Sequence, residues 1–332
     1  MSAPVFFSII LPTFGRPEEV IECLESLCFQ TRKDFEVIIA DGSPADDVRP
    51  GLVPFQERLN MQVVYEKYLP VSNARNRGAE KANGEWLIFL DSDCLIPPDY
   101  LRVVGEAIER GNPDAFGGPD AAHESFSNIQ KAISYSMTSL FTTGGIRGKK
   151  THVGQFHPRG FNMGIKRSVF FSVNGYAEDF RCGEDIELSI RIIKAGFASI
   201  LIPEAYVYHK RRTDFSKFFR QVKRFGAARI NLFRRHKEEL KLTHFFPAFF
   251  LLLHVFWLLS PLICCPLTVG ISLIFGGYAT AIFVDSALQN KSLRVGLLSV
   301  AASWVQLIGY GSGFLQNAWT VFVSGNPQGM KL

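Results

Sequence analysis

The sequence predicts an α/β fold, a mostly parallel sheet with flanking helices, followed by an all-α transmembrane region. Two observations carry this expectation. Over the first 210 residues, short apolar and β-branched runs alternate with helical patterns, as strands joined by crossover helices do. Beyond residue 244 charge almost vanishes: residues 245–284 are 40 positions without Asp, Glu, Lys or Arg, and residues 295–330 are another 36. A crossing needs about 20 residues, at ~1.5 Å each, to traverse ~30 Å of hydrocarbon. The first stretch therefore fits two crossings and the second fits one.

The elements follow in order. Residues 7–12 (FSIILP) read as a buried strand, and residues 17–27 as a helix whose Pro17 sits in the first turn, where no N–H is needed. Residues 35–40 and 61–65 are the next strands, 72–82 a helix, and 85–90 a fourth strand. An amphipathic helix spans 186–194, and residues 205–208 form a late strand. Polar residues close three of the strands: Thr13, Asp41-Gly-Ser and Asp91-Ser-Asp93. In open α/β sheets ligands bind beyond the carboxyl ends of the strands, so these tips converge on one crevice.

Composition narrows the class. The 332 residues are 47% hydrophobic and 20% charged, which excludes a disordered chain, a collagen-like repeat and a small disulfide scaffold. The six cysteines form no CxxC pair and no His/Cys metal spacing, and they read as reduced thiols. No basic n-region or cleavage site opens the chain, so no signal peptide is expected. There is no GxGxxG after the first strand and no GxxxxGK[ST], which removes the main support for hydride transfer and P-loop hydrolysis.

The net charge of +5 conceals a dipolar chain. Residues 210–241 hold 12 basic and 3 acidic side chains, a local +9, whereas residues 1–209 carry −6 and residues 242–332 carry +2. A basic block beside the first apolar stretch favours the cytoplasmic side. The expected organisation is a first domain over 1–209, basic juxtamembrane helices over 210–244, about three transmembrane helices over 245–323 and a short tail over 324–332. Asp285, Lys291 and Arg294 would line a cytoplasmic loop, and the third crossing would leave the C-terminus outside. The protein is thus expected in an inner or plasma membrane, among membrane lipids, with no nucleic-acid partner.

Two acidic sites carry chemistry. Asp91 and Asp93 follow the apolar run WLIFL; carboxylates at i and i+2 can hold a hard divalent ion that bridges phosphate oxygens. By composition alone a DxD arises roughly half a time in a chain with this Asp content, so its place after a buried strand is what gives it weight. The second site, GEDIEL over 183–188, opens a helix with Glu184, Asp185 and Glu187, and an isolated case would be a dipole partner. Glu187, one turn in, fits that structural role.

The set LPTFGRP (11–17), DGS (41–43), NARNRG (73–78), LDSD (90–93), NMG (162–164), NGY (174–176) and GEDIEL (183–188) resembles the family 2 nucleotide-sugar glycosyltransferases, over about residues 6–225. The resemblance implies a GT-A, Rossmann-like fold and a metal-dependent inverting transfer from a nucleotide diphosphate-sugar. It implies donor binding by Pro12, Thr13, Arg16, Asp41, Arg75 and Asp91, with Asp41 at the base or ribose. Asp93, with Asp91 and His209, would hold a divalent cation, Mg²⁺ or Mn²⁺. Asp185 would be the general base for the acceptor hydroxyl, with Glu184 beside it, and Asn162 would lie at the acceptor side.

Residues 220–225 (RQVKRF) are similar to the QxxRW motif of processive synthases, with Phe225 in place of Trp; Arg220, Gln221 and Arg224 would face the diphosphate or acceptor. His152 and His157 read as loop or acceptor-site residues, and Arg147, Lys149 and Lys150 near Gly144 and Gly145 as a loop that could close over phosphate. The expected activity is single-sugar transfer to a hydroxyl or phosphate of a glycan or lipid-linked acceptor at the cytoplasmic leaflet, in cell-surface glycan synthesis. A small processive synthase, and a catalytically silent nucleotide-sugar-binding protein on a membrane, are the alternatives.

Overall fold

The computed structural model describes residues 5–121, 123, 125–143 and 156–325. Contacts divide the chain into two compact units, one built from 5–123 and 156–210, the other from 125–143 and 211–325. Of the sequence expectations, His152, Arg147, Lys149, Lys150, Gly144, Gly145 and the tail beyond 325 lie outside the described residues.

In the first unit β1 (Phe7–Thr13) is followed by α1 (Pro17–Cys28), β2 (Phe35–Asp41), β3 (Met61–Tyr65), α2 (Val71–Lys81), β4 (Trp86–Leu90), β5 (Cys94–Leu95), α3 (Tyr100–Gly111), β6 (Ala115–Gly117) and β7 (Asp120–Ala121). The second unit interposes α4 (Asn128–Thr138) and α5 (Leu140–Thr143). The first resumes with β8 (Asn162–Lys166), α6 (Arg167–Ser172), α7 (Glu184–Lys194), β9 (Ser199–Leu201) and β10 (Val207–His209). The rest of the second unit is α8 (Phe215–Arg235), α9 (Phe246–Leu259), α10 (Cys265–Asn290) and α11 (Leu293–Phe322).

Seven strands form one sheet in the order β3-β2-β1-β4-β8-β6-β9, parallel except where β8 runs against β4 and β6. β1, β2 and β4 are buried along their whole length, which is why they read as continuous apolar runs rather than alternating ones. Alternate side chains feed two layers. Phe7, Ile9 and Leu11 pack with Val20 and Leu24 of α1 and Val104 of α3; Ile10, Leu87 and Phe89 pack with Ala79 of α2, Phe170 of α6 and Leu188 of α7. Phe89 lies 5.3 Å from the ring of Phe170 and 5.1 Å from that of Tyr176. Phe89→Ala is expected to cost about 3–5 kcal/mol of stability, read as an earlier unfolding midpoint in denaturant.

A small second sheet orders β5-β10-β7. Its register sets His209 opposite Cys94, and so beside the residue that follows Asp93.

The second unit is helical. Three of its helical stretches, Leu242–Leu262, Cys265–Asn290 and Leu293–Phe322, are long and apolar enough to cross a membrane. Where the sequence suggests that the whole of 1–209 forms one domain, α4 and α5 instead pack with this unit: Ala132, Ile133 and Met137 join Phe218, Val222, Val295 and Ala302 in one apolar cluster. The Tyr135 hydroxyl donates to Asp285 at 2.6 Å, and that of Tyr278 to the Phe141 carbonyl at 2.6 Å.

Candidate active site

Loops at the carboxyl ends of β1, β2 and β4 supply the first side chains. β1 continues one residue beyond the expected strand, through Thr13, so Pro12, implied at the donor, is a buried strand residue paired with Ala40, and the loop itself starts at Phe14. Asp41 ends β2 fully buried; its Oδ1 accepts from the Ser43 N–H at 2.9 Å and from the Ser43 hydroxyl. Ser43 Oγ in turn accepts from the Gly15 N–H at 2.7 Å, tying the two loops together. Asp41 Oδ2 and Thr13 Oγ1 are buried at these strand ends without a hydrogen-bond partner among the described residues. Unmatched buried polar atoms are costly, and a bound ligand would satisfy them.

Beyond β4 each carboxylate of the DxD divides its oxygens. Asp91 Oδ1 accepts from Arg75 at 2.8 Å and its Oδ2 lies 4.0 Å from His209 Nε2. Asp93 Oδ2 accepts from Arg16 at 3.3 Å, while its Oδ1 is 3.1 Å from His209 Nε2. The His209 ring is held by stacking on Phe161, with ring centres 5.1 Å apart.

A carboxylate oxygen of Asp93 and an imidazole nitrogen of His209 thus converge, with Asp91 Oδ2 4.0 Å from the same nitrogen, donors suited to Mg²⁺ or Mn²⁺. Cys94 also approaches this group. Burial pushes the Cys94 thiol well above the ordinary range. The residues therefore fit a divalent cation.

The acidic helix start forms the opposite side. Gly183 caps α7 at φ +81°, a conformation that favours glycine, and turns Glu184 and Asp185 into the first turn. Asp185 Oδ2 accepts from the Gly160 N–H at 3.0 Å, and its Oδ1 from the Ile186 N–H at 2.8 Å. Burial would raise this carboxyl; Arg159, the Gly160 and Ile186 N–H groups and Arg75 outweigh it and hold Asp185 below the usual carboxylate range. Burial raises Glu184 above that range despite Arg75, with the charge of Asp185 adding to the rise. Glu187 is fully buried and clamped by Arg191, which also donates to Gly175 O at 2.6 Å, so its role is structural.

Arg75 joins the two acidic sites. Its side chain is only 4% exposed and donates to Asp91 and to Glu184, each at 2.8 Å, with Tyr176 beneath the guanidinium at 5.2 Å. Expected at the donor, it is engaged instead in holding two carboxylates in place. Asn162 departs similarly from the acceptor role: it is fully buried, accepting from the Tyr100 hydroxyl at 2.6 Å and donating to Ala205 O at 2.7 Å, a strut between β8 and the approach to β10. Arg220, Gln221 and Arg224 lie on α8 of the helical unit, the two arginines exposed and Gln221 half-buried. His157 bonds Ser189 of α7 at 2.8 Å. Sequence reasoning missed Arg159, Gly160 and Phe161; the run RGFN over 159–162 gave no signal beyond its last residue.

This constellation can hold a metal-bound diphosphate on one side and take a proton on the other. Residues 8–171, about half of the chain, match the family described as Glycosyl transferase family 2. The chain carries a family 2 glycosyltransferase domain.

This glycosyltransferase is 26% identical over 291 residues, 85% of its length and 86% of the relative's, to the dolichyl N-acetyl-alpha-D-glucosaminyl phosphate 3-beta-D-2,3-diacetamido-2,3-dideoxy-beta-D-glucuronosyltransferase of Methanococcus voltae. It is 26% identical over 248 residues to the succinoglycan biosynthesis protein ExoA of Rhizobium meliloti, covering 72% of this chain and 73% of that one. Among solved structures, the mannosyltransferase PcManGT of Pyrobaculum calidifontis, in complex with GDP-Man and Mn²⁺, aligns with a TM-score of 0.57 and 17% identity over 95% of this glycosyltransferase and 88% of that chain. That likeness is one of fold, and the sheet is of the GT-A type.

Proposed function

We propose that this glycosyltransferase moves one sugar from a nucleoside diphosphate-sugar to a hydroxyl of a lipid-linked glycan at the cytoplasmic face of a membrane, in cell-surface glycan synthesis. The reading rests on one observation above all: Arg75 fastens Glu184, the neighbour of the candidate base Asp185, to Asp91, so the acidic start of α7 and the candidate metal carboxylates are tied together. The lipid-linked acceptor is supported by the Methanococcus relative, whose name includes a dolichyl phosphate sugar, and by the apolar helices beside a +9 run.

Thr13 and Asp41 would take the nucleoside at the ends of β1 and β2. Asp93, Asp91 and His209 would hold a divalent cation, which when bound neutralises charge on the diphosphate leaving group. Asp185 would accept the acceptor hydroxyl proton as the oxygen bonds the anomeric carbon and the nucleoside diphosphate departs with the electron pair of the broken bond. Displacement from the face opposite the leaving group inverts that carbon. The amide donors at Gly160 and Ile186 fix the carboxylate on which this depends.

Purified protein incubated with a panel of nucleotide sugars and lipid extracts should release nucleoside diphosphate with one donor and transfer its sugar to lipid. EDTA is expected to abolish both reactions, and added Mg²⁺ or Mn²⁺ to restore them. Asp93→Ala should leave a protein that neither cation restores. Undiminished transfer in EDTA would remove the cation from the reading, and no transfer from any donor would remove the reading itself.

A further inference from the structure

Accepting the placement of the apolar helices in a membrane, we infer that α11 does not cross the bilayer. It lies with α8 in the headgroup layer of the leaflet on the catalytic side, only α9 and α10 cross, and the chain ends on the side where it began.

The first argument is the direction of the helices. α9 and α10 form an antiparallel hairpin, marked by Phe250 against Tyr278 at 5.9 Å, His254 against Phe275 at 4.0 Å, Trp257 Nε1 donating to Ser272 Oγ at 2.9 Å, and Ser260 with Thr268 at 2.8 Å. α11 runs antiparallel to α10, from the Ser299–Ser286 hydrogen bond at 2.7 Å to the Trp304–Tyr278 ring contact at 5.5 Å. It also runs antiparallel to α9, from Trp304 Nε1 donating to His254 Nε2 at 2.8 Å to Phe314 against Phe245, the residue before α9, at 5.3 Å. A helix antiparallel to both legs of an antiparallel hairpin cannot be aligned with that hairpin. It lies across it.

Depth agrees. The hairpin pairing extrapolates to Phe245 level with Phe283. Gly296 packs so tightly by Phe283 that a Cβ would lie 2.9 Å from the Phe283 carbonyl oxygen, while Phe314 touches Phe245. Eighteen residues of α11, about 27 Å of helix, thus begin and end at one level, where a crossing helix would have traversed most of a bilayer.

The second argument is charge. α8 and α11 run side by side in the same direction: Gly309 meets Phe219 and Val222, Gly313 meets Lys223, Asn317 Nδ2 donates to Ala227 O at 2.7 Å, and Phe233 meets Phe322 at 6.2 Å. A Cβ on Gly226 would lie 2.0 Å from Tyr310 O, and one on Gly313 1.9 Å from Lys223 O, so the backbones are in contact and share one depth. α8 carries seven basic residues, among them Arg220, Lys223, Arg224 and Arg229, and no acidic residue. Seven cations in hydrocarbon are untenable, whereas the same cations at the surface meet lipid phosphate and water. α11 stays where α8 stays. Nearly half of its most apolar stretch is accordingly buried against other helices, against about a tenth for α10.

The test is sidedness in intact bacterial cells expressing the full chain. In a variant with its six cysteines replaced by serine, Leu262→Cys in the hairpin turn, Val323→Cys after α11 and Arg102→Cys on the catalytic unit are introduced singly and exposed to a membrane-impermeant maleimide. Leu262→Cys is expected to label in intact cells; Val323→Cys and Arg102→Cys are expected to gain labelling severalfold only after permeabilisation. Labelling of both Val323→Cys and Leu262→Cys from outside would make α11 a third crossing and overturn the inference alone. Failure of Leu262→Cys to label from outside would overturn the crossing hairpin, and with it the membrane-spanning reading. A green fluorescent protein fused after Leu332 of the otherwise unaltered chain checks folding effects: fluorescence supports the inference, and a dark, exported fusion overturns it.

Discussion

The Asp185→Asn protein is expected to release nucleoside diphosphate and transfer sugar about 10²- to 10⁴-fold more slowly than wild type, the usual worth of a positioned base, with donor KM nearly unchanged. The amide is nearly isosteric, and its carbonyl oxygen can keep one of the two N–H bonds that Gly160 and Ile186 now make to opposite carboxylate oxygens, so the fold should survive with the loss of the other. Loss of kcat without loss of donor binding separates a base from a donor ligand; full turnover would show that the proton goes elsewhere. The pH profile gives an independent check. Because the folded protein holds Asp185 below the ordinary carboxylate value of about 3.9, the charged base persists as pH falls through that value. Its contribution to stability has the same sign: complete above the unfolded value and lost as pH drops through the lowered one. Glu184, held high, takes up its proton first. An acid limb of kcat near pH 6.5, the ordinary range of a histidine, would place the base on a different group.

The second large effect is expected at Arg75. Arg75→Met keeps much of the stem but takes the guanidinium from Asp91, a third exposed, and strands Glu184, whose side chain is only 12% exposed. Removing one partner of a buried ion pair costs about 3–5 kcal/mol, because the remaining charge stays desolvated. Unfolding midpoints should fall accordingly. Arg75→Lys should recover part of the loss, since an ammonium cannot bridge both carboxylates with the fork of a guanidinium. If the methionine variant unfolds like wild type and only donor KM rises, Arg75 is a donor ligand after all.

The central sheet was legible because strands buried on both faces leave continuous apolar runs, whose polar closures put Thr13, Asp41, Asp91 and Asp93 at or just beyond the strand ends. β5, β7 and β9 are two or three residues long, too short to carry a period, and the antiparallel course of β8 follows from neighbours far away in sequence. The Arg75 cluster was hidden for the same reason: its carboxylates lie 16 and 109 positions away. Asn162 stood in a recognised motif yet serves as a strut, since only its partners Tyr100 and Ala205 reveal what the amide does. The helical stretches were found by composition, but composition has no direction. Only the pairing of α11 with α8, α9 and α10 distinguishes a helix that spans from one that lies flat.

The membership of α4 in the helical unit sets a schedule for synthesis. Its Ile133 and Met137 share one cluster with Phe218 and Val222 of α8 and with Val295 and Ala302 of α11, so the chain must grow more than 150 residues after Thr138 before the cover of that apolar face is complete. At ribosomal rates of about 5–20 residues per second, that is a wait of roughly 8–30 s. Through it, a sticky segment hangs from a half-finished catalytic sheet whose β8, β9 and β10 are still to come. Neither unit can be completed before the other is well under way, and a chain cut after residue 210 would keep α4 and never make its partner.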